Sequence, residues 1–216
     1  MMINKIFKGT TLMVWKKKAD LHDEYAVEYD NQVKVFDCYM TDILFGLCYE
    51  YIQPGQHLLD AGIGSGLSSA LFARAGLEIH GMDFSPTMLE ICQAKGFATD
   101  LIQHDVAQIP WPYPSDGFDH LICCGVLHFL SDLETVFGEI SRVLRKGGVS
   151  AITTKIKPAI NSQQKYERDI MGEFEICTHT LEYIEDLLDQ YSFKRLKLQK
   201  CFVGEDIFAL WVFQKN

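Results

Sequence analysis

Short continuous apolar runs along the chain alternate with longer stretches in which apolar residues recur every three or four positions. Leu58-Leu59, Glu78–Asp83, Leu101–His104, Phe118–Cys124 and Val149–Thr153 have the length and composition of buried strands. The stretches between them read as helices with their own start and stop signals. Ser85-Pro86 offers a cap and a first-turn proline, and Gly96 a terminator. Ser131 and Glu134 have capping-box spacing, followed by a stripe of Leu133, Val136, Phe137, Ile140, Val143 and Leu144 that Gly147-Gly148 should stop. Residues 20 to 52 are predicted helical, with Phe36, Tyr39, Met40, Ile43, Leu47 and Tyr51 on one face up to Pro54-Gly55. Prolines 110, 112 and 114 force a loop. After a polar stretch, Thr180 caps a helix bearing Leu181, Ile184, Leu187, Leu188 and Tyr191. Two last strands, Arg195–Val203 and Ile207–Gln214, have only Gly204-Glu205-Asp206 between them, a link too short for parallel neighbours. The expectation is an α/β, doubly wound, seven-stranded sheet, mostly parallel with the last strand antiparallel.

The first strand runs into Asp60-Ala61-Gly62-Ile63-Gly64-Ser65-Gly66-Leu67. Alternate glycines let a ligand lie on bare backbone, and the helix that follows adds free N–H groups at a positive dipole end. A dinucleotide loop wants Gly-x-Gly-x-x-Gly, but Leu67 stands where its third glycine belongs. Asp60, two residues before the first glycine, would repel a pyrophosphate and suit an ammonium group. A ligand that joins a nucleoside to an α-amino acid without phosphate is S-adenosylmethionine. At these residues the chain resembles motif I of the class I S-adenosylmethionine-dependent methyltransferases, and is similar to the Methyltransf_11/25 type, including the Williams–Beuren-region methyltransferase-like proteins. The resemblance covers about residues 30–216 and extends to Val143-Leu-Arg-Lys-Gly-Gly148. It implies a Rossmann-like fold, S-adenosylmethionine as cofactor and S-adenosylhomocysteine as product.

Acidic residues close three successive strands: Asp60, Asp83 and Asp105. An ionised carboxylate at 83 offers only acceptors, which suits the two ribose hydroxyls. The resemblance further implies that Asp105 accepts from the adenine amino group, that the Val106 N–H meets a ring nitrogen, and that Phe84 and Met88 flank the base. The cofactor-binding set expected from the sequence is thus Asp60, Gly62, Gly64, Gly66, Asp83, Phe84, Met88, Asp105 and Val106, with Tyr29 closing over the donor beside Tyr25. His128, just after the fourth strand, is the candidate general base, though a packing role is the commoner fate of such a histidine. His179 and Glu173 fall in the polar segment and carry no signal beyond that of surface residues. Two other readings stand beside a methyltransferase: a catalytically silent S-adenosylmethionine-binding module and, with less support, an NAD-dependent oxidoreductase.

Composition narrows the acceptor. With 29 acidic against 20 basic residues and a formal charge of −9, nucleic acid and anionic membranes are poor partners. Residues 123–126 (Cys-Cys-Gly-Val) also lack the Asn/Asp-Pro-Pro-Tyr motif used on exocyclic amines and the Pro-Cys of cytosine C5 enzymes. A small-molecule acceptor is expected. Seven cysteines without a Cys-x-x-Cys pair exclude the usual metal spacing, and a reducing cytoplasm suits them. No run is long enough for a membrane span, so no stable membrane association is expected. Within residues 1–18 the apolar stretch is short and is followed by Lys16–Lys18, against a signal peptide. The chain of 216 residues is expected to be one methyltransferase domain, with residues 1–31 an arm or lid and 32–216 the cofactor-binding core.

Overall fold

The computed structural model describes residues 29–35, 38–157, 164–171 and 174–216. A seven-stranded sheet forms its centre. In chain order the strands are β1 His57–Ala61, β2 Glu78–Asp83, β3 Ala98–Gln103, β4 Phe118–Cys123 and β5 Leu144–Ile156. A separate hairpin follows, β6 Tyr166–Met171 with β7 Phe174–His179, and the sheet is completed by β8 Phe193–Val203 and β9 Asp206–Lys215. The spatial order in the sheet is β3-β2-β1-β4-β5-β9-β8. β1 to β5 pair in parallel, whereas β9 lies antiparallel to both β5 and β8. Strand order reverses between β1 and β4, which opens a crevice beyond their carboxyl ends.

Neighbouring residues on a strand face opposite sides, and the core divides accordingly. Leu59 and Met82 point to one face and meet Val136, Phe137, Ile140 and Val143 of helix α5 (Glu134–Val143), with Ile184, Leu187 and Leu188 of α6 (Leu181–Gln190). Leu58 and Ile79 point to the other, where Met40, Leu44 and Cys48 of α2 (Met40–Cys48) pack with Phe72 of α3 (Ala70–Arg74) and Cys92 of α4 (Pro86–Lys95). Burying one aliphatic side chain in such a core stabilises by about 1.5–3 kcal/mol. Two expected caps form: Ser85 Oγ accepts from Met88 N at 3.1 Å, and Thr180 Oγ1 from Tyr183 N at 3.1 Å.

Several elements differ from the sequence expectation. The first helical stretch is broken into α1 (Tyr29–Val35) and α2, and Tyr39 lies outside α2, 60% exposed. The buried stripe of α2 is Met40, Leu44 and Cys48. The capping box does not form. Asp132 Oδ1 accepts from Glu134 N at 3.0 Å, while Ser131 Oγ is taken by Arg168, so tertiary contacts outbid the local motif. Gly147-Gly148 does not stop α5 either; the helix ends at Val143 and the glycines sit inside β5 at a register shift against β4. A Cβ on Gly148 would come within 2.8 Å of the Arg145 carbonyl, so this position needs glycine for close backbone approach. Finally, the β6–β7 hairpin lies in the polar stretch, where no strand is expected, and forms its own two-stranded sheet. His179 is fully buried there, not a surface residue, and withdrawal from water lowers its pKa to about 4. Glu173, Tyr25 and Phe36 lie outside the described residues, as does most of the expected arm.

Candidate functional site

The loop from Gly62 to Gly66 leaves β1 at the crevice. Its backbone is pinned to β2 by Gly62 N and Ile63 N, which both donate to the Met82 carbonyl, at 2.8 and 3.0 Å. The glycines do not share one job. A Cβ on Gly62 would lie 2.4 Å from Val126 Cγ2, and one on Gly66 would lie 2.7 Å from Cys92 Sγ. These two positions are closed by packing. At Gly64, φ is +53° and only Asp83 Oδ2, 4.0 Å away, would meet an added Cβ. Gly64 therefore presents bare backbone to open space, the arrangement a ligand needs for close approach.

Around that opening the structure brings three acidic residues to the strand ends. Asp60 is 1% exposed; its Oδ2 accepts from Ser69 Oγ at 2.5 Å, and its Oδ1 is buried with no hydrogen-bond partner. Burial pushes its carboxyl up to about 7, against the pull of Ser69, and the nearby Asp83 adds to the rise. Asp83 accepts from Gly64 N through Oδ2 and from Ser85 N through Oδ1, both at 2.9 Å. Burial raises its pKa too; the N–H groups of Ser85 and Gly64 oppose the rise and Asp105 reinforces it. Asp105 Oδ1 accepts from Ala107 N at 2.9 Å. Phe84 is half-buried, and Met88 and Val106 are buried. A buried, partly unsatisfied carboxylate beside two others is a site waiting for positive charge.

Residues that the sequence did not single out complete the surroundings. Ile63 seats against Gly81 of β2, where a Cβ would be 2.4 Å from Ile63 Cδ1. Trp111 Nε1 donates to the Val106 carbonyl at 3.1 Å, and Trp111 N donates to Glu139 Oε2 at 2.6 Å. Arg142 grips the same Glu139 and donates to the Trp111 and Tyr113 carbonyls, so the proline loop behind Asp105 and Val106 is held rigidly. Gly125 N donates to Thr153 Oγ1 at 2.8 Å. The Cys124 thiol is pushed up to about 12 by burial, which makes it a protonated lining group rather than a nucleophile.

Helix α1 lies across this opening. Asp30 accepts from Ser65 Oγ through Oδ1 and from Lys95 Nζ through Oδ2, each at 2.5 Å, and so ties the helix to both the glycine loop and α4. Tyr29 is 37% exposed overall. Burial first, then the fields of Cys124, Cys38, Asp30 and Asp83, push its hydroxyl pKa up. His128 sits in a short turn, Leu127–Phe129, its ring centroid 4.1 Å from that of Phe129 and 5.5 Å from that of Phe208. Phe129 in turn faces Phe174 of the hairpin at 5.8 Å. His128 is thus packed against aromatic rings.

The site is thus an open α/β sheet with a glycine loop facing open space and acidic residues at the strand ends, at the point where strand order reverses. Comparisons with known proteins make this more specific. Residues 59–152 match the family model Methyltransf_11, described as a methyltransferase domain. The chain is 33% identical over 102 residues to malonyl-[acyl-carrier protein] O-methyltransferase of Serratia marcescens, covering 47% of this chain and 39% of that one. It is 32% identical over 146 residues to human methyltransferase-like protein 27, covering 64% and 58%. The match thus spans about two-fifths to three-fifths of these relatives' lengths. The crystal structure of a Burkholderia thailandensis 1,6-didemethyltoxoflavin-N1-methyltransferase, with 1,6-didemethyltoxoflavin and S-adenosylhomocysteine bound, superposes with a TM-score of 0.67 at 17% identity, covering 97% of this chain and 93% of that one. Residues 59–152 are thus similar to a methyltransferase domain, and the fold is shared with methyltransferases of known structure. Among the described residues no helix is long and apolar enough to cross a membrane.

Proposed function

We propose that this protein transfers the methyl group of S-adenosylmethionine to a small-molecule acceptor. The observation that carries the reading is the buried, half-satisfied Asp60 carboxylate behind a glycine loop whose middle glycine faces open space. These residues fit the cofactor. Asp60 would meet the ammonium group, Gly64 would lie against the amino-acid moiety, and Asp83 would accept from the ribose hydroxyls. Asp105 and the Val106 N–H would meet the adenine edge, with Phe84 and Met88 against its faces. Gly62 and Gly66 would shape the loop. The bound sulfonium supplies a methyl group already activated for displacement. What remains for the chain is alignment and exclusion of water.

Helix α1 serves to exclude water, with Tyr29 and the Asp30 tie covering the opening, while residues 20–28 of the expected lid fall outside the described residues. His128 stands as candidate general base at the acceptor end, and methyl transfer from a sulfonium does not oblige one. On this reading Phe129 and Phe174, whose rings face each other at 5.8 Å, border the acceptor and favour a planar or apolar one, and the net charge of −9 disfavours nucleic acid. The relatives' names, a malonyl-carrier-protein enzyme and a toxoflavin-precursor enzyme, agree with a small acceptor.

Calorimetry with S-adenosylhomocysteine tests the donor site. Asp83→Ala removes hydrogen bonds to a charged group, worth roughly 1.5–3 kcal/mol each, and should weaken binding about tenfold or more. Unchanged affinity in a folded variant would sink the ribose assignment. A product-release assay over an acceptor library then tests the transfer itself. For the lid, Asp30→Ala should raise amide exchange across residues 29–35 and lessen the protection that S-adenosylhomocysteine gives there. Identical exchange with and without the substitution would reduce the Asp30 tie to surface packing.

A further inference from the structure

At the opposite end of β1 and β2 from the glycine loop, three side chains meet. His57 and Glu78 are register partners at the strand starts, and His80 lies two residues beyond Glu78, so all three project from the same face of the sheet. His57 Nδ1 is 3.2 Å from His80 Nε2 and 3.6 Å from Glu78 Oε2, and the three ligand atoms all lie within 4.8 Å of one another.

We propose that His57, Glu78 and His80 form a binding site for a zinc-class divalent cation. The spacing carries the argument. Two nitrogens each about 2.0–2.1 Å from a tetrahedral zinc stand about 3.3 Å apart, close to the 3.2 Å found between the rings. The donor set, two imidazoles and one carboxylate, suits zinc and its neighbours and is poor for calcium or magnesium. His80 uses Nε2 toward the cluster, and its Nδ1 faces Asp100 Oδ2 at 4.0 Å, the outer carboxylate that commonly orients a ligating imidazole. His57 is fixed from behind, its backbone N donating to Asp119 Oδ2 at 2.7 Å. The side chains of His57 and Glu78 are 46% and 52% exposed, which leaves an entry path and room for a water as fourth ligand.

Bound there, the ion cross-links the starts of β1 and β2. The carboxyl end of β1 lies about 13 Å further along the strand, so the ion stabilises the sheet without entering the donor site. The alternative is that the two rings merely share a hydrogen bond.

The test titrates zinc, and cobalt as a spectroscopic probe, into the full chain freed of any histidine tag. The expected result is one ion per chain at micromolar or tighter affinity, a higher melting temperature, and a cobalt spectrum without thiolate charge-transfer bands. His57→Ala should weaken binding at least about tenfold and leave S-adenosylhomocysteine affinity unchanged. Glu78→Gln, at an exposed position, gives the same reading should the histidine variant fold poorly. No binding at 100-micromolar zinc, thiolate bands from the cysteines, or affinity unaltered in both variants would overturn the site.

Discussion

Gly64→Val is expected to abolish S-adenosylhomocysteine binding and to leave the protein folded. Both halves follow from what surrounds the glycine. Its φ of +53° is a conformation that a branched residue adopts poorly, at a cost of about 1–2 kcal/mol. That is a fraction of the stability of an ordinary domain, about 5–15 kcal/mol. An added Cβ meets nothing in the protein closer than Asp83 Oδ2 at 4.0 Å, so the fold has room for the branch point. The space it fills is the space the donor would need, and it crowds the carboxylate assigned to the ribose. Gly66→Ala is the informative contrast. There the added carbon is driven to 2.6 Å from Phe97 Cζ and 2.7 Å from Cys92 Sγ, so the melting temperature falls first. Calorimetry paired with thermal unfolding separates the two. Binding retained in Gly64→Val would mean that the loop is purely structural.

The second large effect is on pH. In the free protein the Asp60 carboxyl titrates near 7, far above its unfolded value of about 3.9. A raised carboxyl pKa means that the fold holds the proton where the unfolded chain has lost it. The group's contribution to stability is therefore full below about pH 4 and is lost as pH rises through about 7. An ammonium group at Asp60 favours the ionised form, so ligand binding must release that proton whenever the pH is below 7. Affinity for S-adenosylhomocysteine should fall by up to tenfold per pH unit below 7, since one unit corresponds to about 1.4 kcal/mol. Proton release should be visible calorimetrically in buffers of different ionisation enthalpy. Asp60→Asn should flatten the profile. A profile equally steep in that variant would move the proton to another group, Asp83 first among them.

What the sequence made legible was local. Four of the five expected buried strands, the Ser85-Pro86 and Thr180 caps and the glycine loop depend on residues within a few positions of each other and formed where expected; the third strand begins earlier, at Ala98, and is only partly buried. Asp60, Asp83 and Asp105 arrive at one crevice because parallel strands end on one side of the sheet. Long-range contacts were hidden. The tie from Asp30 to Ser65 and Lys95 spans 35 and 65 positions, and nothing near Asp30 announces it. Ser131 carried a capping signal that Arg168 overrode from 37 residues away. The β6–β7 hairpin escaped because Tyr-Glu-Arg-Asp-Ile-Met, with three charges in six residues, has no apolar face to betray a strand.

That hairpin has a consequence for how acceptor choice changes. In the described residues it shares no ladder with the main sheet; Phe174 meets Phe129, Arg168 meets Ser131 and Lys165 meets Glu134, while Cys177, Thr178 and His179 are buried against the fold. The donor loop, by contrast, is wired into β1 and β2 through their backbones. Substitutions at the exposed Arg168, Asp169 and Ile170 therefore touch none of the backbone contacts that hold the glycine loop, whereas Cys177, Thr178 and His179 are buried. On the proposed reading the acceptor side can vary through the exposed residues of β6, on a chassis that the buried residues of β7 help to hold.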